Sequence, residues 1–278
     1  MFLKRWITGL VALPLLILLI SKGGHVLFAL FVAGLSILAL WEYYIIAFKN
    51  DSAESKSFNG FADFIYRGTG FFCTIAIIWL VYQSRFELIP AIFVLNLLII
   101  GFFSLFCFKN DTLAPVKVAK QALGIIYIPL TLSFLVLIRN DVNGSGWMFF
   151  IFLVIAAGDT GALYVGSFFG RNKICPWVSP NKTIEGSVGG LCANILMGLI
   201  CGIAFLPDLG WLIWVFLSLA IGIAGQVGDL FESEFKRAAG VKDSGRLLPG
   251  HGGFLDRIDA LLFASPVIYF FKTILVKL

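Results

Sequence analysis

Runs of apolar residues about 20 long, enough for a helix to cross a hydrocarbon layer, follow one another through almost the whole chain and leave few folds open to it. No water is present in lipid to satisfy a backbone N–H or C=O, so each run has to become a helix or part of a closed barrel. Runs of this length predict helices. On that criterion nine candidate spans lie at roughly 6–20, 25–48, 69–82, 88–108, 121–138, 147–169, 187–206, 210–230 and 258–275. Composition agrees: 59% of residues are hydrophobic and 13% charged, with a mean hydropathy of +0.95, against about 45–50% apolar for ordinary soluble domains. The fold class expected is all-α: a polytopic integral membrane protein of about nine transmembrane helices with a cytoplasm-facing polar site. No internal repeat or low-complexity tract divides it. Residues 1–278 read as one helical membrane domain, with the N-terminal spans in 1–146 and the catalytic spans and loops in 147–278.

The distribution of basic residues orients the spans. With the N-terminus in the cytoplasm, nine spans place 16 of the 21 Lys and Arg residues inside and leave Lys22, Arg85, Arg139, Lys272 and Lys277 outside, as the positive-inside rule requires. Losing one early span would invert everything after it and spoil the split. The net charge of +5 therefore reads as an orientation signal, and nucleic acid is not an expected partner. Lys4 and Arg5 ahead of an apolar run resemble the start of a signal peptide. Ser21-Lys22-Gly23-Gly24 offers no small-x-small cleavage site, so the first segment is expected to be retained. The five cysteines show no C-x-x-C spacing and lie mostly in or beside apolar runs, and His25 and His251 are the only histidines. Neither a disulfide framework nor a zinc site is expected.

Two polar loops interrupt this pattern, and both fall on the cytoplasmic side. In the stretch from Gly170 to Gly190, Ser179-Pro180 is a fitting N-cap and first-turn pair, which would put Lys182 in the first turn of the seventh span. The helix dipole disfavours a cation there unless an anion binds beside it, so Lys182 reads either as an anion ligand or as an interfacial lysine orienting the span. Asp159, in Ala-Ala-Gly-Asp-Thr-Gly-Ala, lies near the middle of the sixth span. A carboxylate exposed to lipid there costs roughly 2.5–3.5 kcal/mol on the mildest scale. It must face a polar interior, as a site residue or as a protonated structural hydrogen-bond donor.

The longer loop runs from Ser233 to Asp259 and is rich in Gly, Lys, Arg and Asp. Its basic residues suit phosphates, its glycines allow backbone amides to approach an anion, and its carboxylates suit a hard cation. Asp229 closes the eighth span with Glu232 on the same helical face, and Asp256 and Asp259 repeat that spacing at the start of the ninth. One loop joins the two helices, so Asp229 and Asp256 can be brought face to face, and two carboxylates with substrate phosphates are what Mg²⁺ commonly takes. His251, among Gly250, Gly252 and Gly253, is better placed for hydrogen bonding than for general-base work. Glu42, among Trp41, Tyr43 and Tyr44, reads as part of an interfacial aromatic belt and is not counted in the site.

These residues together resemble the phosphatidate cytidylyltransferases, or CDP-diacylglycerol synthases. The family's C-terminal signature is met by Ser233, Phe235, Lys236, Arg237, Lys242, Asp243, Gly245, Leu248, Pro249, His251, Gly252, Gly253, Phe254, Asp256, Arg257, Ile258 and Asp259. A second element is met by Ser179, Pro180, Lys182, Thr183, Glu185 and Gly186, and the surroundings of Asp159 and Asp229 are also similar to the family's. The likeness covers about 155–260, and the earlier residues match only in being apolar. It implies transfer of CMP from CTP to phosphatidic acid in a cell inner membrane, giving CDP-diacylglycerol and pyrophosphate. The implied cofactor is Mg²⁺ on Asp229 and Asp256, with room for a second cation. The implied catalytic residues are Asp229, Asp256, Lys236, Arg237, Lys242, Asp243, His251 and Asp259. The implied substrate-binding residues are Ser179, Lys182, Thr183, Glu185, Ser233, Gly252, Gly253, Arg257 and Asp159. The oligomeric state is left open, a homodimer included. Two rivals fit less well: the Asp-Gly-x-x-Ala-Arg motif of the phosphatidyltransferases is absent, and a transporter would be expected to repeat its polar residues across two halves.

Overall fold

The computed structural model of the chain describes residues 13–49, 59–245 and 252–275. Among the described residues the regular structure is helical apart from one bridge between Lys173 and Thr183. The helices are α1 (Leu13–Lys22), α2 (His25–Ala47), α3 (Asn59–Tyr82), α4 (Ile89–Cys107), α5 (Ala114–Asn140), α6 (Gly144–Phe169), α7 (Ile184–Phe205), α8 (Trp211–Ala238) and α9 (Asp259–Leu275). Seven of them, α2 to α8, are long and apolar enough to cross a membrane. The chain is a multi-pass helical membrane protein. Seven of the nine expected spans correspond to these helices; of the first, residues 6–12 lie outside the described residues and α1 is only Leu13–Lys22, and α9 has 17 residues. Both are shorter than the seven.

Several helices run past the limits that hydropathy gave them, because their charged ends find partners. Asp63 falls in the first part of α3, where Lys117 of α5 meets it at 3.5 Å and Asp111 at 2.8 Å, with Lys117 fully buried. Inside α5 the interior Pro129 is absorbed by a π-helical turn at Ile126–Leu130, which removes the backbone bond that proline cannot donate. The end of α8 differs most from expectation. Ser233, Lys236 and Arg237 were placed in a loop, and they lie on the last two turns of a helix that continues to Ala238. Glu232 and Lys236 pair at i, i+4, and the cations sit at the helix end that favours them. Gly240, at φ 63°, then closes a Schellman turn in which Val241 N–H reaches Lys236 O at 2.8 Å and Gly240 N–H reaches Arg237 O at 3.0 Å.

The two halves of the chain meet through aromatic rings. Tyr43 of α2 packs edge-on against Phe235 of α8 at 5.4 Å, and Tyr127 of α5 against Phe231 at 5.3 Å. Ser265 of α9 donates to Thr131 O of α5 at 2.7 Å. Within the second half, α6 and α7 form the most extensive helix pair, and small residues make the approach close. A Cβ at Gly161 would stand 2.6 Å from the Ala193 Cβ, and one at Gly189 would stand 2.5 Å from the Val165 Cβ. Such close packing tolerates no added volume. Gly189→Leu is expected to cost about 1–3 kcal/mol and to lower the thermal midpoint in detergent, whereas Gly34→Leu, where nothing lies within 4 Å, should leave it unchanged. Equal midpoints for the two variants would refute this account of the α6–α7 contact.

Candidate active site

The C-terminal ends of α6 and α8 and the N-terminal ends of α7 and α9 lie where the two polar loops are, so the loops meet over one set of helices. The first loop is pinned by its own ends. Ile184 N–H donates to Asn172 O at 2.8 Å and Ile174 N–H to Lys182 O at 3.2 Å, leaving Thr183 extended at φ −122°, ψ 153°. Helical backbone therefore begins at Ile184. The N-cap is Thr183, whose hydroxyl accepts the Gly186 N–H at 3.1 Å, and not Ser179 as expected. Ser179 belongs instead to tight turns, its N–H on Cys175 O and its carbonyl taking the Lys182 N–H. Glu185 reaches back to the loop and accepts from Arg171 N–H at 3.0 Å and from the Asn172 side chain at 2.8 Å.

Lys182 thus stands just ahead of the helix rather than in its first turn. Its Nζ lies 2.5 Å from Asp229 Oδ2 of α8, with both side chains partly open. The pair closes one end of a cavity of about 530 Å³ between α6, α7 and α8. Asp159 lines the same cavity, and Asp229 lies close enough to both Asp159 and Asp259 to interact with their charges. Farther in, the walls are glycines and apolar side chains, Gly158, Ile155, Ile221 and Gly222 among them, with the buried amide of Asn194. The cavity is charged at one end and greasy at the other.

A second network lies on the next turns of α8. Lys236 Nζ is 2.6 Å from Glu232 Oε2 and 2.6 Å from Asp256 Oδ1, and all three side chains are nearly buried. Asp256 Oδ2 accepts the Gly253 N–H at 2.8 Å, the Ser244 N–H at 3.0 Å and faces the Ser244 hydroxyl at 3.1 Å. Gly252, at φ 81°, supplies the left-handed turn that aims the Gly253 amide at this carboxylate. Burial by itself would raise the Asp256 carboxyl, but the Lys236 hydrogen bond and the Ser244 and Gly253 amides outweigh it and hold it below the ordinary value. Asp256 sits in a short 3-10 turn, Leu255–Arg257, and α9 begins only at Asp259, so the two aspartates are not on one helical face.

The expected site residues therefore fall into two groups. Lys182, Asp229 and Asp159 line the cavity, with Asp259 near enough to Asp229 to feel its charge and Thr183 fixing the helix start beside them. Lys236, Asp256, Gly252 and Gly253 form the second group, with Ser233 buried on the same helix. Asp229 and Asp256, expected face to face, have separate partners. Lys236, expected to meet phosphate, is turned toward Glu232 and Asp256. Arg237 donates to Val178 O at 3.0 Å and Val241 O at 3.2 Å, tying the first loop to the end of α8. Lys242, Asp243 and Arg257 are exposed, and His251 lies outside the described residues. One residue of the second group was missed. Glu42 of α2 is buried and accepts from Ser244 Oγ at 2.8 Å and from Leu255 N–H at 2.9 Å. Its sequence signal was the one applied to Asp159: a carboxyl group inside an apolar run has to face something polar.

Comparison with known proteins shows the family. Residues 3–275 match the sequence profile of the Cytidylyltransferase family. The chain belongs to that family. It is 41% identical over 165 residues to a phosphatidate cytidylyltransferase of Staphylococcus haemolyticus, 40% over 155 residues to that of Bacillus subtilis and 38% over 165 residues to that of Staphylococcus aureus. The matches take in 59%, 55% and 59% of this chain and 59%, 58% and 59% of those relatives.

In this member of the cytidylyltransferase family the donors at the cavity are carboxylate oxygens, the chemistry that a hard divalent cation takes. Among the described residues no three His, Cys, Asp or Glu converge closely enough to enclose a metal by themselves. Lys236, by contrast, already serves two carboxyl groups. Lys236→Met would leave Glu232 and Asp256 buried without a counter-charge and is expected to destabilise the protein on the order of 3 kcal/mol. An unchanged unfolding midpoint in detergent would show that the pair does not need its lysine.

Proposed function

We propose that the chain is a phosphatidate cytidylyltransferase, transferring CMP from CTP to phosphatidic acid to give CDP-diacylglycerol and pyrophosphate. The observation that carries this reading is the cavity itself, with Lys182 on Asp229 at its charged end and an apolar interior reaching between membrane helices. One substrate is a polyanion and the other a phosphate on two acyl chains, and such a cavity accepts a phosphate while leaving the tails in lipid. The names of the relatives point the same way. A lipid phosphate oxygen attacks the α-phosphorus of CTP; the new P–O bond forms as the bond to the β-phosphate bridging oxygen breaks, and pyrophosphate leaves.

The obstacle is repulsion between two polyanions. Lys182 offers positive charge at the cavity mouth, and its pairing with Asp229 keeps it extended there without fixing it irreversibly. Asp229, with Asp159 beside it, would hold Mg²⁺, which when bound supplies further charge for the phosphates. Asp256 was expected as a second ligand and joins only if it leaves Lys236. Catalysis is then orientation and charge stabilisation, with little covalent work for the protein. The reading includes an inner-membrane location with both loops toward the cytoplasm, where CTP is found. It also carries the homodimer, which light scattering on purified protein tests.

Purified protein in detergent should move cytidine label from CTP into lipid only when phosphatidate and Mg²⁺ are both present; no label from folded protein would overturn the assignment. Asp229→Asn should abolish turnover in folded protein. Lys182→Ala should raise the KM of one substrate about tenfold, the equivalent of a charged hydrogen bond worth at least about 1.4 kcal/mol. Unchanged kinetics for both substrates would return Lys182 to an orienting role.

A further inference from the structure

Glu42 belongs to α2, in the half of the chain that carries none of the signature residues, yet its contacts are in the other half. It is 1% exposed, and a carboxyl group so deeply placed is costly unless its hydrogen bonds are made. Two of them reach Oε2, from the Ser244 hydroxyl at 2.8 Å and the Leu255 N–H at 2.9 Å. The backbone closes tightly on the same group. A Cβ at Gly245 would collide with Glu42 Oε1, and one at Gly253 would stand 2.6 Å from Oε2. The other oxygen, Oε1, is buried and has no hydrogen-bond partner among the described residues.

Both donors it holds adjoin Asp256. Leu255 opens the 3-10 turn on which Asp256 sits, and Ser244 offers both its N–H and its hydroxyl to Asp256 Oδ2. A hydroxyl has one proton to give. Glu42 is the nearer acceptor, at 2.8 Å against 3.1 Å for Asp256, and a hydroxyl that donates to Glu42 leaves its oxygen to accept the Asp256 N–H at 3.4 Å. Glu42 therefore sets the orientation of the residue that cradles Asp256, from a helix anchored elsewhere in the bundle.

We propose that Glu42 is a positioning residue for the transfer reaction, holding Ser244 and Leu255, and through them Asp256, against α2. The inference rests on the reading of this chain as a cytidylyltransferase in which Asp256 leaves Lys236 and joins Asp229 at the site. It makes the first half of the chain part of the site's geometry rather than membrane anchorage alone.

The test compares wild type, Glu42→Ala, Glu42→Gln, Ser244→Ala and the Glu42→Ala/Ser244→Ala double variant, each assayed for label transfer with kcat and KM separated and unfolding midpoints recorded. Glu42→Ala is expected to lower kcat about 100-fold, the scale of loss for a reacting group displaced by about 1 Å, with both KM values little changed. Glu42→Gln keeps an oxygen that accepts both bonds and should recover most of that kcat, which a purely structural loss would not predict. The double variant should be no slower than the worse single one, because both act through one hydrogen bond. If Glu42→Ala does not fold, Ser244→Ala and Glu42→Gln decide: a kcat loss in the first and near-wild-type kcat in the second support the positioning role. Wild-type kcat in folded Glu42→Ala, or in Ser244→Ala, overturns it while leaving the enzymatic reading intact. No transfer by wild type sinks that reading and this inference with it.

Discussion

Charge buried among apolar helices must be neutralised by charge, and the Lys236 ammonium held between Glu232 and Asp256 is where this constraint shapes the protein most. The cation between them offsets the burial that works against a charge on Asp256. The pairing fixes the last turns of α8, places the turn ahead of α9, and draws Ser244 and Gly253 onto Asp256. The same rule recurs away from the site. Lys117 is buried between Asp111 and Asp63, and Lys272 meets Asp141 at 2.7 Å. These pairs permit α3 and α5 to begin with charged residues and still pack as membrane helices.

The cavity depends on a different constraint. Helices α6 and α7 approach closely because glycine faces alanine, valine or glycine across their contact, and the space left toward α8 is walled by backbone as much as by side chains. In lipid there is little hydrophobic gain from bringing helices together, so such contacts rest on packing at short range. A cavity built in this way keeps its shape without large side chains. It opens Asp159 and Asp229 to a guest while the surrounding helices remain in contact with one another. The Lys182–Asp229 pair is less buried than the Lys236 network.

The two halves of the bundle are coupled as well as adjacent. The rings of Tyr43, Tyr127, Phe231 and Phe235 fill the seam between them, and Glu42 lies one residue from Tyr43 on α2. A carboxyl group set beside aromatic residues looks, in one dimension, like a membrane-surface belt. In three dimensions the rings are core and the carboxyl group faces the loop from the other half. That is why Glu42 was assigned to the interface when Asp159, lacking aromatic neighbours in sequence, was assigned to a polar interior.

The sequence alone determined the membrane class, the approximate place of the seven membrane-length helices, the family signature, and the expectation that Asp159 faces a polar interior, because apolar run length, charge cost and motif spacing are local quantities. It could not decide between Ser179 and Thr183 as the cap, since both are good capping residues and the choice follows from the backbone pairing of Asn172 with Ile184. It stopped the eighth span near residue 230, because hydropathy counts Glu232 and Lys236 as breaks when together they extend the helix. It set Asp229 opposite Asp256, because one loop joins their helices. The tertiary structure gave Asp229 to Lys182 and Asp256 to Lys236. Which cation meets which carboxylate is settled by how helices distant in sequence are packed, and a linear pattern of charges does not contain that information.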